Sequence, residues 1–167
     1  MKDIWLLNDW ENNIDISAQT YRKGLRMHYD KGIHPDVHTG LSQFVSWLRD
    51  EYIFPLRVNV YVKKARRIRA MDGELVVGTI WRPSDYLNFP YIRLATGDYM
   101  ELMAKLGKDG AILAVLHTFA HELTHYFQHI NNLKLTTIGE ERQATIYANY
   151  IISDYILVRQ GTVLCHD

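Results

Sequence analysis

The chain is short of the features that mark several protein classes. Among its 167 residues Cys165 is the only cysteine, so no internal disulfide can form and a disulfide-stapled secreted fold is excluded. Near the N-terminus the apolar run Ile4-Trp5-Leu6-Leu7 is too short for a signal peptide or a membrane span. There is no internal repeat, no low-complexity tract and no Pro/Gly/Ser-rich linker. Neither charge is in excess: 19 Lys and Arg face 19 Asp and Glu, so the net charge gives no argument for nucleic acid or an acidic membrane as a partner, and none is expected. With hydrophobic residues at 47%, the expectation is a single domain over residues 1–167, located in the cytoplasm.

What is present is a change of hydrophobic period along the chain. A first helix is predicted from about Ile16 to Tyr29, capped by Asp15 and followed by Gly32. The stretch from His34 to Gly40 reads as a loop, and a second helix as about Leu41 to Glu51. Leu56, Val58, Val60 and Val62 then alternate with polar neighbours, which predicts a half-buried strand. Asp72-Gly73 between two strand-like runs predicts a two-residue hairpin, and Tyr91 to Ala95, opened by Pro90, an edge strand. Asp98 and Glu101 have capping-box spacing for a short helix ending at Gly107. A long helix follows from Asp109 to about Ile130, and a last one from about Glu140 to Arg159, capped by Thr136 or Thr137 with Gly161 beyond it. The layout predicts an α+β fold with a small, mostly antiparallel sheet.

The chemistry sits in His121-Glu122-Leu123-Thr124-His125. Residues four apart share a helix face, so both imidazoles reach one ion, and zinc accepts neutral imidazole nitrogen. Glu122, about 100° further round the helix, flanks the metal instead of binding it and suits a base that takes a proton from metal-bound water. With 8 histidines in the chain, chance produces this pattern in about one or two such sequences per hundred. His117 and His129 extend the four-residue recurrence and read as polar residues near the mouth of the site.

A third protein ligand is needed if one zinc position is left for water. The metzincin pattern would require histidine where Asn131 stands, so that class is excluded. Glu140 and Glu141 are the candidates. Thr145, one turn beyond Glu141, is a polar side chain able to orient a ligating histidine, whereas Ala144, one turn beyond Glu140, is not; this favours Glu141.

His-Glu-Leu-Thr-His followed by a helical glutamate resembles the gluzincins, whose best-known member is thermolysin. The segment Glu141-Arg142-Gln143-Ala144-Thr145-Ile146-Tyr147-Ala148 is more similar to the ImmA/IrrE group, or to the minimal single-domain gluzincins. The resemblance covers roughly residues 91 to 151 and implies a zincin-like fold with one Zn2+ per chain. It implies His121, His125 and Glu141 as ligands and Glu122 as the base of a metallopeptidase. It further implies that an edge strand, here Tyr91, Ile92, Arg93, Leu94 and Ala95, aligns a peptide or protein substrate.

Other features carry less. The cluster from Lys63 to Arg69 reads as a solvated strand end, with anion or nucleic-acid contact as the sharper alternative. Tyr147, nearest Glu141, is a candidate to stabilise an oxyanion, although Tyr147, Tyr150 and Tyr155 read better as aromatic core. The function this predicts is zinc-dependent hydrolysis of peptide bonds. The alternative is a regulatory or binding module with a structural zinc, completed by a fourth ligand such as His117, His129 or His166.

Overall fold

A computed structural model describes residues 3–164; Cys165 and His166 lie outside the described residues. The architecture is α+β, with three helices, a four-stranded mixed sheet and a small two-stranded antiparallel sheet. The strands are β1 (Leu25–Tyr29), β2 (Val58–Lys63), β3 (Ile68–Arg69), β4 (Leu75–Val76), β5 (Gly78–Trp81) and β6 (Tyr91–Ala95). The helices are α1 (Pro35–Glu51), α2 (Tyr99–Ile130) and α3 (Thr137–Leu164).

The predicted helix from Ile16 to Tyr29 is corrected. Asp15 does accept from the Ser17 backbone N–H at 3.0 Å, but only turns follow. Leu25, Met27 and Tyr29 alternate with Arg26 and His28, and Leu25 pairs with Val58, so long-range strand pairing wins over a weak local helical pattern. The predicted loop from His34 to Gly40 opens α1 instead. Pro35 sits in the first turn, where its missing N–H costs nothing, and the His34 side chain accepts from Asp36 N–H at 3.1 Å.

The large sheet has the order β1-β2-β6-β5, with β1–β2 and β2–β6 parallel and only β5–β6 antiparallel. The expectation of a mostly antiparallel sheet is therefore corrected. Its reason follows from β1: with a strand before α1, the run β1–α1–β2 is a helical crossover, which joins parallel neighbours. The hairpin forms between β3 and β4, but with a three-residue loop. Gly73 N–H donates to Ala70 O at 3.0 Å and Ala70 N–H to Glu74 O at 2.8 Å, with Gly73 at φ 92°, where glycine carries no Cβ penalty.

One sheet face is dry. Val58, Val60, Val62, Ile92 and Leu94 meet Phe44 and Leu48 of α1 and Phe119, Leu123 and Phe127 of α2 in one hydrophobic cluster. Each such side chain contributes roughly 1.5–3 kcal/mol through burial. α2 is kinked at Gly107, where the sequence places a helix end. The capping box is not made through side chains: Asp98 holds Arg67 at 3.0 Å and Glu101 holds Arg66. α3 starts at Thr137, with Thr136 Oγ1 accepting from Gly139 N–H at 3.1 Å, and passes Gly161. No helix among the described residues is long and apolar enough to cross a membrane.

Candidate metal centre

α2 carries the motif along the boundary between core and cleft. Leu123 and Thr124 face inward at 0% exposure; Thr124 Oγ1 donates to Ala120 O at 2.9 Å and accepts from Trp5 Nε1 at 3.0 Å. These contacts fix the rotation of the helix and so turn His121, Glu122 and His125 towards the cleft.

The structure brings His121, His125 and Glu141 together: one ligand atom from each lies within 4.8 Å of the others. His121 Nε2 is 3.2 Å from Glu141 Oε2 and His125 Nε2 is 3.2 Å from Glu141 Oε1. Tetrahedral ligands at roughly 2.0–2.1 Å from zinc stand about 3.3 Å apart, so each histidine-to-carboxylate spacing, made to a different oxygen of Glu141, is close to what a shared ion requires.

A residue outside the motif sets the chemistry of His125. Gln128, one turn on, places Oε1 2.7 Å from His125 Nδ1, while its Nε2 donates to Glu140 O at 3.0 Å and to Gln143 Oε1 at 3.0 Å. A backbone carbonyl only accepts, so the amide nitrogen must face Glu140, and Oε1 then requires the proton on His125 Nδ1. The Nε2 lone pair is left pointing at a carboxylate oxygen. Two electron-rich atoms in that relation need a cation or a second proton between them, and two imidazoles with one carboxylate suit zinc. Burial, and then the neighbouring His125, hold His121 below the usual histidine pKa, which favours the neutral, ligating form.

Glu122 is 7% exposed, and burial first, Glu141 second, push its carboxyl up to about 8 against the opposing pull of Arg82. It lines a cavity of about 670 Å³ together with His121, His125, Glu141 and β5. Two cavity residues escape the sequence reading. Gly78 of β5 lies so close to α2 that a Cβ there would be 2.6 Å from Thr118 Cγ2 and 3.2 Å from Glu122 Oε1. Arg82, just past β5, binds Glu140 at 3.0 Å and so links the end of that strand to the start of α3. No sequence spacing announces either residue, because both act across tertiary contacts.

Other sequence-predicted residues fall elsewhere. Tyr91, Ile92, Arg93, Leu94 and Ala95 do not form an edge: β6 pairs with β2 on one side and β5 on the other, and Ile92, Leu94 and Ala95 are buried. Pro90 precedes the strand and removes no ladder donor, so it says nothing about edges. The edge beside the cavity is β5. Thr145 Oγ1 donates to Glu141 O of its own helix at 3.0 Å and is exposed, so it does not orient a histidine. Tyr147 is 4% exposed within the hydrophobic cluster and outside the cavity lining, so it is the aromatic core residue that the sequence favours and not the oxyanion donor kept as its alternative. Tyr155 packs edge-on to Phe44 at 4.9 Å. His117 lines the cavity and contacts Asn149 Oδ1 at 2.9 Å. His129 Nε2 is buried without a hydrogen-bond partner among the described residues, and burial, then Arg82, lower its pKa to about 4.

Comparison with known proteins finds no matching family, no similar curated protein and no similar solved structure.

Proposed function

We propose that the chain is a zinc-dependent hydrolase of the gluzincin type, a small metallopeptidase with one Zn2+ held by His121, His125 and Glu141. The observation that carries this reading is the convergence of those three ligand atoms within 4.8 Å beside a buried glutamate. Zinc, when bound, polarises a substrate carbonyl and acidifies water. The ion's positive charge would also oppose the burial that raises the Glu122 carboxyl, and the ionised Glu122 would take a proton from the attacking water and return it to the leaving amine nitrogen. Glu122 suits both steps because it lines the same cavity as the two histidines, about 100° round the helix from His121, and so flanks the ion without binding it.

The free edge of β5 supports an extended peptide as substrate, which would add to the sheet as a strand alongside the cavity. Among the described residues the cluster holds three ligands, and neither His117 nor His129 belongs to it, which favours the enzyme over a closed structural site. A single zincin-like domain and a cytoplasmic location complete the reading.

Elemental analysis and a proteome-derived peptide cleavage screen, with Glu122→Gln as control, test it together. Close to one zinc per chain in wild type and Glu122→Gln, none in His121→Ala, and cleavage in wild type alone are expected. Wild type that stays metal-free when zinc is supplied at neutral pH would sink the metal site. Zinc with four protein ligands by X-ray absorption, and no cleavage, would establish the structural-site alternative.

A further inference from the structure

The outer face of the four-stranded sheet, away from the helices, is a second surface with its own chemistry. Strand alternation sends Val58, Val60, Val62, Ile92 and Leu94 into the core, so their neighbours face outward. Four aromatic rings result, one from each strand: His28, Tyr61, Tyr91 and Trp81. His28 stacks on Tyr61 at 4.8 Å and 17°, and Trp81 on Tyr91 at 5.3 Å and 27°, while Tyr61 meets Tyr91 edge-on at 6.0 Å. His28 and Trp81 lie on the two edge strands, and among the described residues no further ring stacks on either. Each stack therefore ends at a sheet edge where another flat ring can extend it.

The charge of this face is one-sided although the whole chain is neutral. The four strands contain no aspartate or glutamate, yet they carry Arg26, Lys63 and Arg93. A groove of about 590 Å³ runs along the free edge of β1, lined by Arg26, His28, Arg49, Arg57 and Asn59 and by no acidic residue. Among the described residues none of Arg26, Arg49, Arg57 or Arg93 forms an ion pair, and the Nε atoms of Arg57 and Arg93 are buried without a hydrogen-bond partner. The basic cluster from Lys63 to Arg69 is different: Lys63, Arg66 and Arg67 are neutralised by Asp30, Glu101 and Asp98. Of that cluster only Lys64 and Arg69 form no ion pair among the described residues, so most of its charge is neutralised while the arginines of the sheet face and the β1 edge are not.

We infer that this face binds single-stranded nucleic acid, with phosphates along the Arg26–Arg49–Arg57 groove and bases extending the His28–Tyr61 and Trp81–Tyr91 stacks. Single strands combine a polyanionic backbone with unpaired flat bases, and sheet faces bearing aromatic and basic residues hold them through both. An acidic peptide would meet the arginines but leave the stacks unused. An anionic membrane would meet the arginines without needing paired, parallel rings at the sheet edges. The balance of 19 charges of each sign conceals this separation, because net charge averages over faces.

Fluorescence anisotropy with a labelled oligothymidylate of about twelve nucleotides tests the inference on the intact chain. The expected result is micromolar binding at low salt, with a log–log salt slope of about 2 to 3, as for three or four neutralised phosphates of a single strand. Arg26→Ala, at an exposed position, should lower that slope by about 0.7. Trp81→Ala and Tyr61→Leu should each weaken binding at least about fivefold with thermal midpoints near wild type. His121→Ala should bind as wild type does, which separates this surface from the metal site. Absence of binding at high micromolar protein overturns the inference. So does equal binding of oligoglutamate, tighter binding to phosphatidylserine vesicles than to the oligonucleotide, or indifference to the ring substitutions.

Discussion

On the proposed reading, His125 would serve as a metal ligand only as well as its far nitrogen is held. Gln128 fixes that nitrogen's proton and is itself fixed by Glu140 and Gln143, so it couples the histidine helix to the glutamate helix. Replacing it by Leu should weaken zinc affinity about 10- to 100-fold, and replacement by Glu, which accepts from Nδ1 but cannot donate to Glu140 O, should restore only part of it. A zinc competition titration measures both; equal affinity for wild type and Gln128→Leu would remove Gln128 from the site. In the same titration Glu141→Gln should weaken binding strongly and Glu140→Gln little, since the Glu140 carboxylate is occupied by Arg82. The reverse ranking would mean that the ligand register is one residue off. Gly78 is a steric counterpart. Gly78→Ala puts a Cβ against Thr118 Cγ2 and should destabilise by about 1–3 kcal/mol in urea unfolding. Thr118→Ser removes the opposing methyl and should recover part of the loss; independent, additive effects of the two changes would show that the contact is not responsible.

β5 and α2 are the two walls of the cleft, and their far ends meet around Arg82 and His129. His129 has a pKa of about 4, below the ordinary histidine value, so the folded protein resists protonation there. The unfolded chain takes that proton near pH 6.5, so the fold loses stability as pH falls from about 6.5 towards 4. His129→Gln, which cannot titrate, should show a smaller drop in urea midpoint between pH 7.5 and 5 than wild type; an equal drop would assign the acid sensitivity elsewhere. How much of these elements is legible in the sequence depends on whether local pattern or remote pairing sets them. α2 is legible because its apolar positions and its four-residue histidine recurrence share one period. The grouping of His121, His125 and Glu141 follows from that period plus a second helix close in sequence. β1 is not legible: Asp15 and the residues after it imitate a helix start, and only Val58, far along the chain, makes Leu25 a strand residue. Once β1 is missed, α1 cannot be read as a crossover, and both the parallel sheet and the identity of its edge are lost. Gln128, Gly78 and Arg82 are invisible for the same reason, since each is defined by what another element brings to it.

At the scale of the whole molecule, a zinc ion would tie α2 to α3 where they already pack, and binding to the folded state alone stabilises by mass action. At free zinc about 100 times its Kd the gain is about 2.7 kcal/mol. Chelation should therefore lower the thermal midpoint of wild type and leave His125→Ala unchanged; calorimetry with and without chelator checks this, and an equal fall in both proteins would trace the effect to something other than the site. The ligands also span a short piece of chain, from residue 121 to residue 141, whereas β1 must find β2 across an entire helix. A short loop closes in roughly 10–100 ns, while distant strand pairing waits on slower loop closure. On sequence separation alone, the α2–α3 contact that groups the three donor atoms is expected to form before β1 finds β2. A zinc ion captured at that stage would hold α2 against α3 while the free edge of β5 is still to be added to the sheet.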